Sequence, residues 1–526
     1  MIELRRPLTR RALLTSAVVV LSASDETVAA ARKPKTRSTA PAEPIFPGTP
    51  LPIPRLVDLV DGATFDLVAE TTRHAFVAGK PVDTLGYGGT HLGPTLRVTR
   101  GTRPKVRLIN RLARPTNVHW HGLLVPSSQD AATHPGLRTG ESWETRLDVD
   151  QPAATLWYHA HIHGRTARDV HDGLAGMMIV EDAESAGLGL PSTWGVDDIP
   201  LVLQDRVFDE AGRPVFEMTP ARVEHGFRGP DMIVNGVTEA VAKVPARLVR
   251  LRLLNAANAR NFRLFFEDNR NFRLIATDGG FLREPAELSL LVLTPGERAE
   301  ILVDFAEGHG VLLTGPDGHE HRSGAHGAIL PDVIDRPARL VAFEAARDEL
   351  PTAKVPARLA GSTALDRPPA GVRRRRFELR VLPNPAASGG GLDPHAMHRS
   401  MTRGSVDRAT ETDSAPPLLL TINGRSFAME RIDEKVDLGA SEIWEIVSPD
   451  MAHPFHVHGV HFAVLSEDGG TPKAWNRGPK DTVLVENGAE LLVTFAHPAD
   501  AARPFLYHCH LLEHEDGGMM GTFTVG

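Results

Sequence analysis

Cysteine is nearly missing. One residue, Cys509, stands alone in 526, so no internal disulfide can form, and stability must come from burial and bound metal. Basic charge is short as well. Lys and Arg number 58 against 66 Asp and Glu, and the formal net charge of -8 argues against nucleic-acid binding, which needs a basic face. The apolar run Leu13 to Leu21 falls far below the ~20 residues that span a bilayer, so no transmembrane helix is expected. Long amphipathic helices are hard to find. The remaining balance, 41% hydrophobic and 24% charged, is that of an ordinary globular protein. Histidine is the outlier: half of the 24 fall within four short clusters.

The N-terminus has the pattern of an export signal. Thr9-Arg10-Arg11-Ala12-Leu13-Leu14 is a twin-arginine sequence, followed by the apolar run and by small residues at Val28-Ala29-Ala30-Ala31. Residues 1–31 are therefore expected to be a signal read by the twin-arginine translocase, with the product in the periplasm, in the cell envelope or outside the cell. That route carries folded proteins, which suits one that acquires its cofactor before crossing. Residues 32–50, rich in Pro, Lys, Arg and Thr, are expected to be a disordered leader.

From Ile53 onwards short alternating runs are broken by Gly and Pro. Leu96 to Thr99, a turn at Arg100 to Thr102, and Val106 to Asn110 are expected to form antiparallel strands. A related phrase recurs at Leu248 to Asn255, and a weaker one at Glu442 to Val447. A length of 526 at ~150 residues per domain suggests three or four domains. Repetition at this scale predicts an all-β chain of several similar sandwiches in series. Residues 51–186, 187–347 and 372–526 are the expected domains. Gly187 to Ile199 is a first linker, and the Pro- and Ala-rich residues 348–371 are a second. The run Arg373 to Arg376 is expected to be a solvated domain entry rather than an anion site. The Gly- and Ser-rich stretch Pro383 to Arg403 is expected to be a surface loop. It carries His395, Met397, His398 and Met401, soft ligands for transient copper or a chance grouping.

His119-Trp120-His121, His159-Ala160-His161, His456-Val457-His458 and His508-Cys509-His510 are four His-x-His pairs. Residues two apart on a strand share a face, so each pair presents two imidazoles together. Alone, any one pair serves equally as zinc ligands or as structural histidines. Together they supply eight imidazoles, too many for a mononuclear site and enough for a cluster of several ions. Structural zinc closes at four ligands, which disfavours zinc alone. Parity then divides the set. Cys509 faces away from His508 and His510, and His453 faces away from His456 and His458 if its segment stays extended. His453, Cys509, His514 and Met519 thus offer a thiolate, two imidazoles and a thioether, the ligand set of a blue-copper electron-transfer site. His163 and His461 are expected beside the cluster or at the surface, Met177 and Met178 in the core, and Met520 as a neighbour of a ligand.

These motifs, with Trp157-Tyr158 before His159 and Gly122 and Gly459 after their pairs, resemble the four copper motifs of the multicopper oxidases, bacterial three-domain type. The resemblance extends to Asp150 to Thr155, Leu293 to Arg298 and Lys480 to Val483. It implies three consecutive cupredoxin-like Greek-key domains with a trinuclear cluster between the first and third. It also implies four coppers. The type 1 ion takes His453, Cys509, His514 and Met519. The type 2 ion takes His119 and His456. The type 3 pair takes His121, His159, His161, His458, His508 and His510. No ligand is missing, whereas the family has a copper-free member, involved in cell division, in which they are lost.

The implied activity is oxidation of a phenolic or aromatic donor, or of cuprous ion, one electron at a time. Electrons pass through Cys509 to its flanking histidines, and dioxygen is reduced to water. Asp130 and Glu515 sit where the family places its proton relay. Asp450 and Met451 lie before His453, where the cuprous-oxidase branch holds substrate copper, with the acid displaced by one residue. The alternative is a copper-binding, copper-tolerance or envelope scaffold protein without turnover. A monomer is expected.

Overall fold

A computed structural model describes residues 45–316, 336–347, 353–360, 368–384 and 418–526. The export signal, residues 32–44 and the segment His395 to Met401 lie outside the described residues. Among the described residues the short alternating runs form six sheets that face one another in pairs, giving three β-sandwiches. Each sandwich encloses its own apolar core, because alternation places one side of every strand inward. The first core contains Leu67, Leu108, Trp120 and Leu156. The second contains Leu251, Phe262, Leu274 and Phe343. The third contains Phe377, Trp444, Phe455 and Tyr507. Among the described residues no helix is long and apolar enough to cross a membrane.

The recurring phrase occupies one structural position three times. Lys105–Asn110 lies parallel to Thr64–His74 and antiparallel to Ser142–Arg146. Leu248–Asn255 lies parallel to Asp198–Arg206 and antiparallel to Arg298–Asp304. Ser441–Val447 lies parallel to Arg373–Pro383 and antiparallel to Gly488–Thr494. Each is an interior strand with a parallel partner before it in the chain and an antiparallel one after, so the repetition reflects one topology used three times.

One expectation fails here. Thr95–Thr99 and Lys105–Asn110 are not paired with each other. The first lies parallel to Leu56–Asp58 and to Ala175–Glu181 in one sheet, and the second belongs to the facing sheet. The turn between them, with Gly101 at φ +85°, carries the chain across the sandwich instead of closing a hairpin. Alternation is the same in both cases, so the pattern alone does not distinguish them.

The leader also ends earlier than expected. Thr49–Pro50 adds a parallel strand beside Ala240–Pro245, and Leu51 and Ile53 pack on the second core. Apolar residues at the end of a Pro-rich stretch found an unpaired sheet edge. In the second linker, Leu359 donates its N–H to Arg283 and packs on the same core. Arg373 to Arg376 form the start of a strand whose guanidinium groups pair with Glu442, Glu490, Glu434 and Glu445, so the run is neutralised by its neighbours.

Candidate metal centre

The third sandwich brings the solitary thiol opposite one histidine strand. His453–Val457 and Phe505–Cys509 run antiparallel, with Phe455 opposite Cys509 and His456 opposite His508. Directly opposed residues project to the same face. His456 and His508 therefore share one side, and Cys509 shares the other with Phe455 and His453. The short helix Leu512–Asp516 then turns the chain back. It leaves Cys509 Sγ 3.7 Å from His514 Nδ1 and 3.4 Å from His453 Nδ1, with the two Nδ1 atoms 3.3 Å apart. Met519 is fully buried in the same core, and its carbonyl accepts the Cys509 N–H at 3.1 Å. His514 Nε2 donates to the Glu224 carbonyl oxygen at 2.8 Å, which fixes the ring with Nδ1 toward the sulfur. Burial pushes the Cys509 thiol well above its ordinary range, while the Leu511 N–H, 3.4 Å from Sγ, favours the thiolate. A cation between these atoms would reverse the balance, since metal coordination deprotonates a thiol.

Eight imidazoles gather on the opposite side. In the first sandwich His119 pairs across the sheet with His159, and His121 with Trp157. The same clustering continues into the third sandwich. His119 stacks on His458 at 3.7 Å between ring centroids, and His121 stacks on His456 at 3.8 Å. His458 Nε2 and His161 Nε2 lie 3.1 Å and 3.5 Å from His508 Nε2. All eight rings are buried. Burial and the neighbouring imidazoles hold the rings of His119 and His508 well below the usual range. Burial takes His159 down to about 3 and His458 to about 4. The neutral imidazole is the form that binds metal.

Hydrogen bonds show which nitrogen of His119, His121, His159 and His456 faces the cluster. His119 Nδ1 donates to Asp130 Oδ2 at 2.7 Å, His159 Nδ1 to the Ala160 carbonyl at 3.0 Å, and His456 Nδ1 to the Asp481 carbonyl at 2.8 Å. His121 reverses the pattern: its Nε2 donates to Asp481 Oδ1 at 3.1 Å. The nitrogens left over are Nε2 of His119, His159 and His456, Nδ1 of His121, and both of His510. They are buried and without a hydrogen-bond partner among the described residues. Buried polar atoms are rarely left so. A group of lone pairs converging this way fits metal ions, and the outward N–H bonds set each tautomer as in other metal sites.

The remaining expected residues fall as follows. Asp130 follows a short 3-10 turn, Ser127–Gln129, and its Oδ2 also lies 3.6 Å from His458 Nδ1, so it touches a ring from each side. Glu515 is buried 3.4 Å from His161 Nε2 and 3.4 Å from His508 Nδ1. Burial pushes its carboxyl up to about 8; the Thr166 hydroxyl opposes this and the Glu513 charge adds to it. Asp450 Oδ1 lies 3.6 Å from His453 Nε2, and its carboxylate accepts the Val381 and Met451 N–H groups. Met451 is partly buried against the third core. His461 Nε2 bonds the Gly122 carbonyl and His163 packs against Phe427, so neither joins the cluster. Met177 and Met178 are core residues.

Sequence reasoning missed Asp481, Thr482 and Arg298 as site residues. Asp481 lies with His121 and His456 in a group able to hold a metal, and Thr482 Oγ1 is 3.1 Å from His456 Nδ1. Burial pushes the Asp481 carboxyl up, but Arg298 and His121 outweigh it and hold the group well below the carboxylate range. The signal was present in the phrases Lys480 to Val483 and Leu293 to Arg298, which carry charged residues directly beside the start of a buried strand. Asp516, which accepts the first N–H groups of the helix Thr166–Asp172, was also unassigned.

A buried cysteine with two imidazoles on one side of a strand and an imidazole cluster on the other, in a chain of cupredoxin-like sandwiches, place the chain in the class of multicopper cupredoxin folds. Family models described as multicopper oxidase match residues 69–185, 187–311 and 393–526. The chain belongs to the multicopper oxidase family. It is similar to a laccase-like multi-copper oxidase, CueO, from Ochrobactrum sp. Identity is 39%, coverage is 91% of this chain and 100% of that one, and the TM-score is 0.77. It is similar also to McoA multicopper oxidase of Aquifex aeolicus, 28% identical over 91% of this chain and 100% of that one, with TM-score 0.76. Among sequence relatives, the cell division protein FtsP of Xenorhabdus nematophila is 36% identical, covering 91% of this chain and 92% of that protein.

Proposed function

We propose that this chain is a four-copper oxidase that takes single electrons from a phenolic or aromatic donor, or from cuprous ion, and reduces dioxygen to water. The observation that carries the reading is the divergence at Cys509. Its sulfur meets His453 and His514 on one side, and His508 and His510 enter the imidazole cluster on the other. Bound copper would supply one-electron redox chemistry at the first site and dioxygen reduction at the second. His453, Cys509, His514 and Met519 would hold the single ion, His119 and His456 the type 2 ion, and the other six histidines the type 3 pair. Asp130 and Glu515 each contact imidazoles from the first and third sandwiches, a position from which a carboxyl can pass protons to the cluster. Asp450 Oδ1 lies 3.6 Å from His453 Nε2, so Asp450 and its neighbour Met451 are the side chains proposed to meet a donor at that site. Export by the twin-arginine route to the periplasm or beyond completes the reading.

The Ochrobactrum relative has oxidase activity towards lignin model compounds and lignosulfonate, which supports a phenolic donor here. Oxygen uptake by the copper-loaded protein decides the substrate. It is measured with a phenol and with cuprous ion, each with and without added cupric ion. Turnover of cuprous ion alone would exclude the phenol-oxidase reading.

A scaffold without turnover is the second reading, favoured by the relatives named as cell division proteins. The complete and converging ligand set weighs against it. A purified protein that binds four coppers and consumes no oxygen with either donor would establish it.

A further inference from the structure

The middle sandwich holds none of the twelve expected ligands, yet its Arg298 is fully buried against the imidazole cluster. A guanidinium has five N–H donors in one rigid plane. All five are engaged. Nε donates to the Thr155 carbonyl at 3.2 Å, in the first sandwich. Nη1 donates to the Gly296 carbonyl at 3.0 Å and to Asp481 Oδ1 at 2.7 Å. Nη2 donates to the Asp278 carbonyl at 3.0 Å and to Asp481 Oδ2 at 2.5 Å. One side chain therefore binds all three sandwiches.

We propose that Arg298, acting through Asp481 and Thr482, is the positioning residue that sets the tautomer and placement of His121 and His456. The inference rests on the reading of the imidazole cluster as a copper site. Asp481 Oδ1, clamped by Arg298, accepts His121 Nε2–H. Thr482 Oγ1 lies 3.2 Å from the same nitrogen and 3.1 Å from His456 Nδ1, whose hydrogen goes to the Asp481 carbonyl. With hydrogen on those atoms, the basic nitrogens are His121 Nδ1 and His456 Nε2, the two that are buried without a partner. The rings come from different sandwiches and stack with 15° between their planes, so one dipeptide aligns a ligand from each side of the interface.

The glycine that follows His121 has its reason in the same pair. A Cβ at Gly122 would stand 2.4 Å from Arg298 Nη2 and 2.7 Å from Asp481 Oδ2, at φ +85°. Lysine cannot replace the arginine, because an ammonium has three donors and no bidentate plane.

Three variants test the proposal. Arg298→Lys keeps the charge. Arg298→Met combined with Asp481→Asn removes both charges, so that neither is left buried alone. Arg252→Lys is the control. Arg252 is nearly as buried and also bonds Thr155 and two carboxylates, but it contacts no expected ligand. Copper-loaded proteins are compared by copper per chain, by the blue absorption of the thiolate site and by electron paramagnetic resonance of the cluster.

Both Arg298 variants are expected to keep the blue absorption but hold cluster copper ~10–100-fold less tightly against a chelator. Arg252→Lys should load like the unmodified protein. Unchanged cluster copper and spectra in both Arg298 variants would overturn the proposal. Equal losses in Arg252→Lys, loss of the blue site as well, or failure of both Arg298 variants to fold would assign the arginine to stability and overturn it too. An unmodified protein that loads only the thiolate site would instead refute the copper-cluster reading itself.

Discussion

Glu515→Gln isolates the buried carboxyl that faces both histidine strands. The substitution preserves shape and removes the titratable proton. Glu515 and Asp516 are consecutive, and burial pushes both up, with the Glu513 charge adding to the rise at Glu515 and the Glu515 charge to that at Asp516. Asp516 accepts the Thr166 and Ala167 N–H groups at 2.8 and 2.9 Å, which oppose that rise without outweighing it. The sign of the linkage follows. A carboxyl at about 8 in the folded, copper-free protein and 4.5 when unfolded binds more protons folded than unfolded across that window. Stability is thus lost as pH rises from the unfolded value through the folded one, by up to about 1.4 kcal/mol per pH unit. Between pH 5 and 7 the difference between the parent and Glu515→Gln should shift by roughly 2–3 kcal/mol in favour of the variant. Denaturant unfolding of the two copper-free proteins at pH 5, 6 and 7 measures it. With copper loaded, the variant should keep its blue absorption and reduce oxygen on the order of a hundredfold more slowly, as expected for loss of a positioned acid. A pH-independent difference would show that Glu515 is ionised in the fold. An unchanged turnover rate at saturating donor would remove it from proton delivery.

Asp130→Asn loses the charged acceptor of His119 Nδ1 and should weaken cluster copper ~10–100-fold, read by chelator competition. Cys509→Ser should abolish the blue absorption while leaving cluster copper bound, because His508 and His510 keep their strand; loss of all copper would contradict the two-site division. Trp444→Ala empties a fully buried position in the third core and should cost about 3–5 kcal/mol, measured by unfolding of the copper-free protein. His171 is buried beside Arg206, and burial first, then that guanidinium, brings it down to about 3. Its own contribution to stability is therefore lost as pH falls below 6.5, and His171→Leu should remove up to about 1.4 kcal/mol per unit from the pH slope of the copper-free protein.

Much of the site was legible because a strand has period two. Cys509 and its flanking histidines had to diverge, and His453 had to join the sulfur, once the segment was extended. The repeated phrase was legible for a similar reason, since an interior strand keeps its apolar residues wherever the topology recurs. The fate of Thr95–Thr99 and Lys105–Asn110 was not, because crossing between sheets and folding back within one require the same alternation. The strand at Thr49–Pro50 was hidden by its composition, which matches a leader although its few apolar residues find a sheet edge.

By itself, the sequence indicated the candidate ligand residues and the divergence of Cys509 from its flanking histidines, because both depend on local spacing. Only the tertiary structure decided which histidines stack across the interface, which nitrogen of His119, His121, His159 and His456 is left without a partner, and that Arg298 of the middle sandwich holds Asp481. His121 and Asp481 are 360 residues apart, and no periodicity links them. Their contact exists because three separately cored sandwiches meet there, and a charge buried at that junction must find its partner wherever the fold supplies one.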